Sequence, residues 1–237
     1  MKALIALLQF ATILPLGKPR ELEHFARHSY LYPLAGYVIG GLVAIVVFWI
    51  PGRIIAAAIA VAGVLFLSGC NHFDGLLDFG DAIMAQGDRE KRIRALTDRQ
   101  VGAGGVALGL VITLLLFAGL QASASIAVAI LIGEVGAKFS MALLTTIGTP
   151  FQEGLHSYFY RFSKPYFPVI AFMLCIPLIL LPISPQKLAT AAILMVLCPM
   201  ILLLISKHLL GGINGDVVGA SNEITRAAIV LGMVLIP

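Results

Sequence analysis

Long apolar runs separated by short polar clusters dominate the chain. The runs cover Leu34 to Ile50, Ile54 to Cys70, Gly104 to Leu120, Ser123 to Ile147, Tyr166 to Leu181, Leu188 to Ser206 and Ala227 to Pro237. Crossing the hydrocarbon of a bilayer takes about 20 apolar residues in helical form, so the pattern predicts about seven membrane helices, the last short enough to enter without crossing. The expected fold is all-α, a polytopic transmembrane helical bundle. No internal repeat, low-complexity tract or linker divides it, so residues 1–237 read as one domain. Met1 to Leu16 begins like a signal peptide, with Lys2 ahead of an apolar stretch. It lacks a small-residue cleavage site and runs into Pro15, which favours a retained interfacial or re-entrant segment.

The polar segments are distributed unequally. Alternating the runs places 17–33, 71–103, 148–165 and 207–226 on one side, and 51–53, 121–122 and 182–187 on the other. The first set holds Lys18, Arg20, Arg27, Arg89, Lys91, Arg92, Arg94, Arg99, Arg161, Lys164, Lys207 and Arg226; the second holds only Arg53 and Lys187. Lys and Arg are retained on the cytoplasmic side during insertion, so the long segments are expected on the cytoplasmic face of the cell membrane. Every acid except intramembrane Glu134 falls in those same segments. The opposite loops are too short to build a site, so chemistry is expected on the cytoplasmic face.

Composition narrows the classes further. Apolar residues make up 59% of the 237 positions and charged residues 12%, a balance foreign to a soluble domain. The net charge of +4 arises from basic residues spread among apolar runs, a topology signal that argues against a nucleic-acid partner. Cys70, Cys175 and Cys198 have no CxxC spacing, which gives neither a disulfide framework nor a zinc site. No GxSxG elbow, Walker loop or HExxH pair is present.

Two acidic motifs remain. In Asn71-His72-Phe73-Asp74-Gly75-Leu76-Leu77-Asp78-Phe79-Gly80-Asp81, a helix puts Asp74, Asp78 and Asp81 at i, i+4 and i+7 on one stripe. Three adjacent carboxylates repel one another, and a hard divalent cation such as Mg2+ relieves that repulsion. His72 is the one histidine suited to this site; His24, His28, His156 and His208 show no ligand spacing and read as interfacial or loop residues. The basic stretch Gly87 to Gln100 predicts an amphipathic surface helix attracted to membrane lipid, followed by Asp98, Arg99 and glycines where the chain re-enters the membrane. The second motif, Gly211-Gly212-Ile213-Asn214-Gly215-Asp216-Val217-Val218-Gly219-Ala220-Ser221-Asn222-Glu223, offers Asp216 among glycines that allow close approach to a phosphate. Glu134 and Lys138, at i and i+4, form either a structural ion pair or a route for Lys138 to a substrate phosphate. Together these features point to Mg2+-dependent transfer on a phosphorylated or diphosphate substrate.

Both acidic motifs, with Phe10 to Leu16, Tyr32-Pro33-Leu34-Ala35-Gly36 and Asp98-Arg99-Gln100-Val101-Gly102-Ala103-Gly104-Gly105, resemble the cobalamin synthase (adenosylcobinamide-GDP ribazoletransferase) family over most of the chain. The resemblance implies a transferase that moves adenosylcobinamide phosphate from adenosylcobinamide-GDP to alpha-ribazole or its 5'-phosphate, releasing GMP. On that basis Asp74, Asp78 and Asp81 are expected to hold Mg2+, and Asp216 and Asp98 to serve the metal or act as base. His72, Arg99, Lys138, Asn214 and Glu223 are expected to contact substrate. A homo-oligomer stays open. Alternatives are a CDP-alcohol phosphotransferase or polyprenyl transferase, whose aspartate spacings differ, and a secondary transporter suggested by Glu134 and Lys138.

Overall fold

The computed structural model describes residues 1–236. Among them all regular structure is helical, apart from one isolated bridge between Pro150 and Ile213. In chain order the helices are α1 (Lys2–Ala11), α2 (Leu22–Ala26), α3 (Tyr32–Phe48), α4 (Arg53–Leu67), α5 (Asn71–Met84) and α6 (Arg89–Leu96). There follow α7 (Ala103–Ala122), α8 (Ile126–Ile147), α9 (Leu155–Phe162), α10 (Phe167–Met173), α11 (Pro185–Leu210) and α12 (Gly215–Leu235). Short 3₁₀ turns at Ser29–Leu31 and Ile176–Leu180 extend α3 and α10.

Five helices among the described residues are long and apolar enough to cross a membrane alone: α3 with its leading turn, α7, α8, α11 and α12. Two further stretches are broken. α4 and α5 meet at 94°, α9 and the Phe167–Leu180 stretch meet at 91°, and counting each bent pair as a span brings the total to seven. The corner between α4 and α5 is made by two consecutive left-handed residues, Gly69 at φ +64° and Cys70 at φ +59°. α1 is ten residues long, too short to cross, and packs on α2 and α3.

The predicted runs match these helices closely except at three places. Ile54 to Cys70 and Tyr166 to Leu181, each expected to cross alone, hold α4 of 15 residues and α10 of seven, which count as spans only within the bent pairs, and the last run starts elsewhere. The expected last span began at Ala227 and placed 207–226 outside the bilayer; α12 instead begins at Gly215 and runs 21 residues. Glu223 and Arg226, near its middle, are buried, so Arg226 is no exposed topology signal. Pro237, the last residue of that run, lies outside the described residues.

Hydrogen-bonding side chains start several helices. Asp88, Ser125, Ser184 and Asn214 each accept a backbone N–H two or three residues into α6, α8, α11 and α12. α11 ends at Gly211, whose φ of +88° lets its N–H turn back to the carbonyls of Ser206 and Lys207. α6 confirms the predicted surface helix and gives its basic residues definite partners. The Arg92 guanidinium donates to Ile83 O at 2.8 Å at the end of α5, and Arg89 lies against Gly211 at the end of α11. Both place a cation where a helix dipole is negative.

Lipid tails are as apolar as leucine, so membrane helices are held by close packing and polar contacts more than by water exclusion. Gly36 and Gly40 of α3 show this. A methyl group on Gly36 would come 2.7 Å from the Val135 Cα, and one on Gly40 would come 3.1 Å from Glu134 Cβ, so α3 presses its backbone onto α8. The short loops gather at one end, where Arg53 donates to the carbonyls of Gln121, at 2.7 Å, and Ser123. The beginnings of α5 and α12 meet at the other end.

Candidate functional site

α5 and α12 touch through backbone. A methyl group on Gly75 would lie 2.7 Å from Asp216 O and 2.9 Å from its Cα, so no side chain separates the two acidic motifs there. Their carboxylates are brought together as a result: Asp74, Asp81 and Asp216 all lie within Coulombic reach of Asp78. Asp74 is exposed, while Asp78, Asp81 and Asp216 are half-buried. Close packing on α7 completes the arrangement, because the two oxygens of Asp81 accept the N–H groups of Gly102 at 2.7 Å and Gly105 at 2.8 Å. Asp81 therefore anchors the start of α7 to α5, which leaves Asp74, Asp78 and Asp216 as the freer carboxylates.

Beside them opens a cavity of about 600 Å³, lined by Gln9, Phe10, Tyr32, Asn71, His72, Met141, Thr145, His156, Phe159 and Asn214 to Asp216, with the 152–155 loop at its mouth. At its floor the Asn214 side chain accepts from Val217 N at 3.1 Å and donates to an Asp216 oxygen at 2.6 Å. Asn214 thus caps α12 and holds the carboxylate in one orientation. Gly215 has open space on its side-chain face at the start of a 21-residue helix, the kind of terminus that favours a phosphate.

Two histidines line this cavity. Both are buried, His72 at 5% exposure and His156 at 4%, and among the described residues neither His72 Nε2 nor His156 Nδ1 has a hydrogen-bond partner. His156 Nε2 lies 2.8 Å from Gly148 O. At the mouth the Ser157 hydroxyl and the Arg161 guanidinium hold the Glu153 carboxyl below its ordinary range.

The other expected residues go elsewhere. Lys138 and Glu223, expected to touch substrate, lie inside the bundle in a network with Glu134, Asn222 and Arg226. Lys138 Nζ is 2.9 Å from Glu134 and 2.8 Å from Asn222 Oδ1, and Arg226 reaches Glu134 at 2.6 Å and Glu223 at 2.7 Å. Two acids and two bases neutralise one another there, and the Lys138 side chain is fully buried and does not line the cavity. Asp98 and Arg99 are exposed on the link between α6 and α7, with Asp98 accepting from Gln100 N at 3.0 Å. His156 was read as an interfacial residue, and no spacing in the sequence marks it; its burial and its carbonyl partner are features of the fold alone.

Among the described residues no three His, Cys, Asp or Glu side chains converge into a ready-made metal cage. Mg2+ commonly takes one or two carboxylates and completes its octahedron with water and substrate phosphate. Asp74, Asp78 and Asp216, all hard oxygen donors beside a cavity, fit that second mode.

Comparison with known proteins places these motifs in a wider setting. The family model described as cobalamin-5-phosphate synthase matches residues 3–234. The adenosylcobinamide-GDP ribazoletransferase of Halorubrum lacusprofundi is 37% identical, the match covering 96% of this chain and 95% of that protein. The protein of the same name from Methanocella arvoryzae is 34% identical, covering 99% and 97%. That from Methanococcoides burtonii is 32% identical, covering 94% and 88%. No solved structure matches the chain.

Proposed function

The chain belongs to the cobalamin-5-phosphate synthase family, and from that premise we propose that it transfers the adenosylcobinamide phosphate of adenosylcobinamide-GDP to alpha-ribazole or its 5'-phosphate, with release of GMP. The observation that carries the reading is the junction of the two acidic motifs through Gly75 and Asp216 beside a polar-floored cavity. Family membership displaces the CDP-alcohol, polyprenyl and transporter alternatives, and the closed Glu134–Lys138–Glu223–Arg226 network removes the feature that suggested transport.

Transfer requires that diphosphate charge be neutralised and that nucleophile and leaving group be held in line. Asp74, Asp78 and Asp216 would hold Mg2+ together with substrate phosphate oxygens, where the ion supplies charge neutralisation and orientation. The start of α12 offers backbone N–H groups to the same phosphates, and Asn214 fixes the Asp216 carboxylate against them. Asp81 keeps α5 and α7 in register, so the stripe presents its other acids outward. Arg99, exposed where α7 begins, would meet the diphosphate from the surface, and Asp98 beside it would orient it. The excess of Lys and Arg in the long segments supports a cytoplasmic face for this site, where GMP would be released.

Purified protein in detergent, given adenosylcobinamide-GDP, ribazole and Mg2+, is expected to release GMP. Chelation should stop release and added Mg2+ restore it. Asp78→Asn should lower turnover by about 100-fold or more while leaving the thermal transition in place. Folded protein that releases no GMP refutes the transfer reading; normal turnover in both Asp74→Asn and Asp78→Asn refutes the metal assignment.

A further inference from the structure

His156 brings a buried acceptor of defined polarity to the cavity lining. Gly148 O can only accept, so the His156 Nε2 that lies 2.8 Å away must donate to it. In the neutral ring the proton is thereby committed to Nε2, and Nδ1 is left as a bare lone pair. That atom is buried and, among the described residues, unpartnered, on a residue that lines the cavity. An acceptor fixed in this way is complementary to a hydroxyl.

We propose that this cavity seats the hydroxyl-bearing nucleoside acceptor and that His156 Nδ1 takes the proton of its attacking hydroxyl. The inference rests on the transfer reading above. A volume of about 600 Å³ is within the usual range for a small-molecule site and suits a nucleoside or nucleotide. A corrin macrocycle with its side chains is too bulky for it and stays outside, presenting only its phosphate arm. Phe10, Tyr32, Met141 and Phe159 supply apolar wall for an aromatic base, while Asp216 and Asn214 lie on the phosphate side.

The balance of the step is simple. The acceptor O–H proton passes to Nδ1 as the oxygen forms its bond to phosphorus, and the bond from phosphorus to the GMP oxygen breaks with its electron pair leaving on GMP. The imidazolium then returns its proton to solvent. Asp216 is less suited to this work, since Asn214 holds one of its oxygens and a carboxylate shared with a cation is a poor base. The titratable groups that face His156 across the cavity are Tyr32 from α3, His72 from α5, Asp216 from α12 and Glu153 from the preceding loop, with Tyr160 on its own helix.

His156→Gln is the informative variant, because the glutamine amide can still donate to Gly148 O where Nε2 did. The expected result is a fall in kcat of about 100-fold or more, an unchanged KM for adenosylcobinamide-GDP, and loss of the acid limb of the kcat–pH profile. Unchanged kcat, or a lowered kcat with the acid limb intact, overturns the proposal. Should this variant not fold, a chain carrying 4-fluorohistidine at position 156 alone keeps the shape while lowering imidazole basicity; the acid limb is expected at lower pH, and an unmoved limb overturns the proposal. Wild-type enzyme is run beside each. If it turns over and the variants behave as wild type, only the His156 assignment falls; if it releases no GMP, the transfer reading fails and takes this one with it.

Discussion

α12 carries two groups of ionisable residues a few turns apart, and they solve the same electrostatic problem in opposite ways. Near its start, Asp216 joins Asp74 and Asp78 in a set of like charges beside a cavity with unpartnered histidine nitrogens. Deeper, Glu223 and Arg226 join Glu134 and Lys138 of α8 in a set whose charges cancel and whose side chains are almost wholly buried. The deep set is complete without a ligand. The outer set has no such cancelling charges among its own members, so its groups are the ones available for chemistry.

The sharpest way to break this contrast is to remove one member of the deep set. Arg226→Leu leaves Glu134 with Lys138 alone and buried Glu223 without its cation, and breaking such a buried pair costs about 3–5 kcal/mol. The variant is expected to give little folded protein, or a thermal transition in detergent far below wild type. Asp78→Asn should melt near wild type, because neutralising one of several crowded carboxylates relieves repulsion. A stable Arg226→Leu would show that the network is dispensable for folding and return Lys138 to consideration as a phosphate ligand.

This contrast also explains what the sequence could and could not show. The runs beginning at Leu34, Gly104 and Leu188 were legible because bilayer thickness fixes their length, and the stripe Asp74, Asp78, Asp81 because helical periodicity fixes its face. α12 was misjudged because Glu223 and Arg226 lower its apolar character. What cancels their cost is Glu134, 92 positions from Arg226, and no local pattern carries that pairing. The Lys138–Glu134 pair was legible at i, i+4; its closure by Arg226 was not. Gly36 and Gly40 did offer a readable signal, two small residues four apart in an apolar run, which is the usual mark of close helix contact. His156 offered none.

A smaller perturbation tests how the outer set is assembled. Gly75→Ala forces a methyl group into the Asp216 backbone, and since displacements of about 1 Å at a reacting centre can cost 100-fold, turnover should fall by about that factor. Gly41→Ala on α3 meets nothing within 4 Å and serves as the control, with unchanged GMP release. Equal activity in the two variants would show that α5 and α12 tolerate separation, and that the junction of the acidic motifs does not matter for turnover.

The smallest effect concerns the corner that delivers Asn71 and His72 to the cavity. Cys70 holds φ +59°, a left-handed conformation that costs a residue with a side chain about 1–2 kcal/mol and glycine almost nothing. Cys70 is exposed, so replacing it changes little packing. Cys70→Gly removes the left-handed penalty but gives back part of the gain through the greater freedom of the unfolded chain, about 0.4–1 kcal/mol. Cys70→Val adds β-branching where the backbone tolerates it least. The glycine variant should therefore melt above the valine variant by an interval corresponding to about 1 kcal/mol or more, with the wild type between or close to glycine. Because the glycine change leaves the direction of α5 intact, its turnover per folded molecule should match wild type. Valine and glycine variants that melt together would mean that the corner relaxes freely, and the entry of α5 would then have to be fixed by its contacts with α7 and α12 alone.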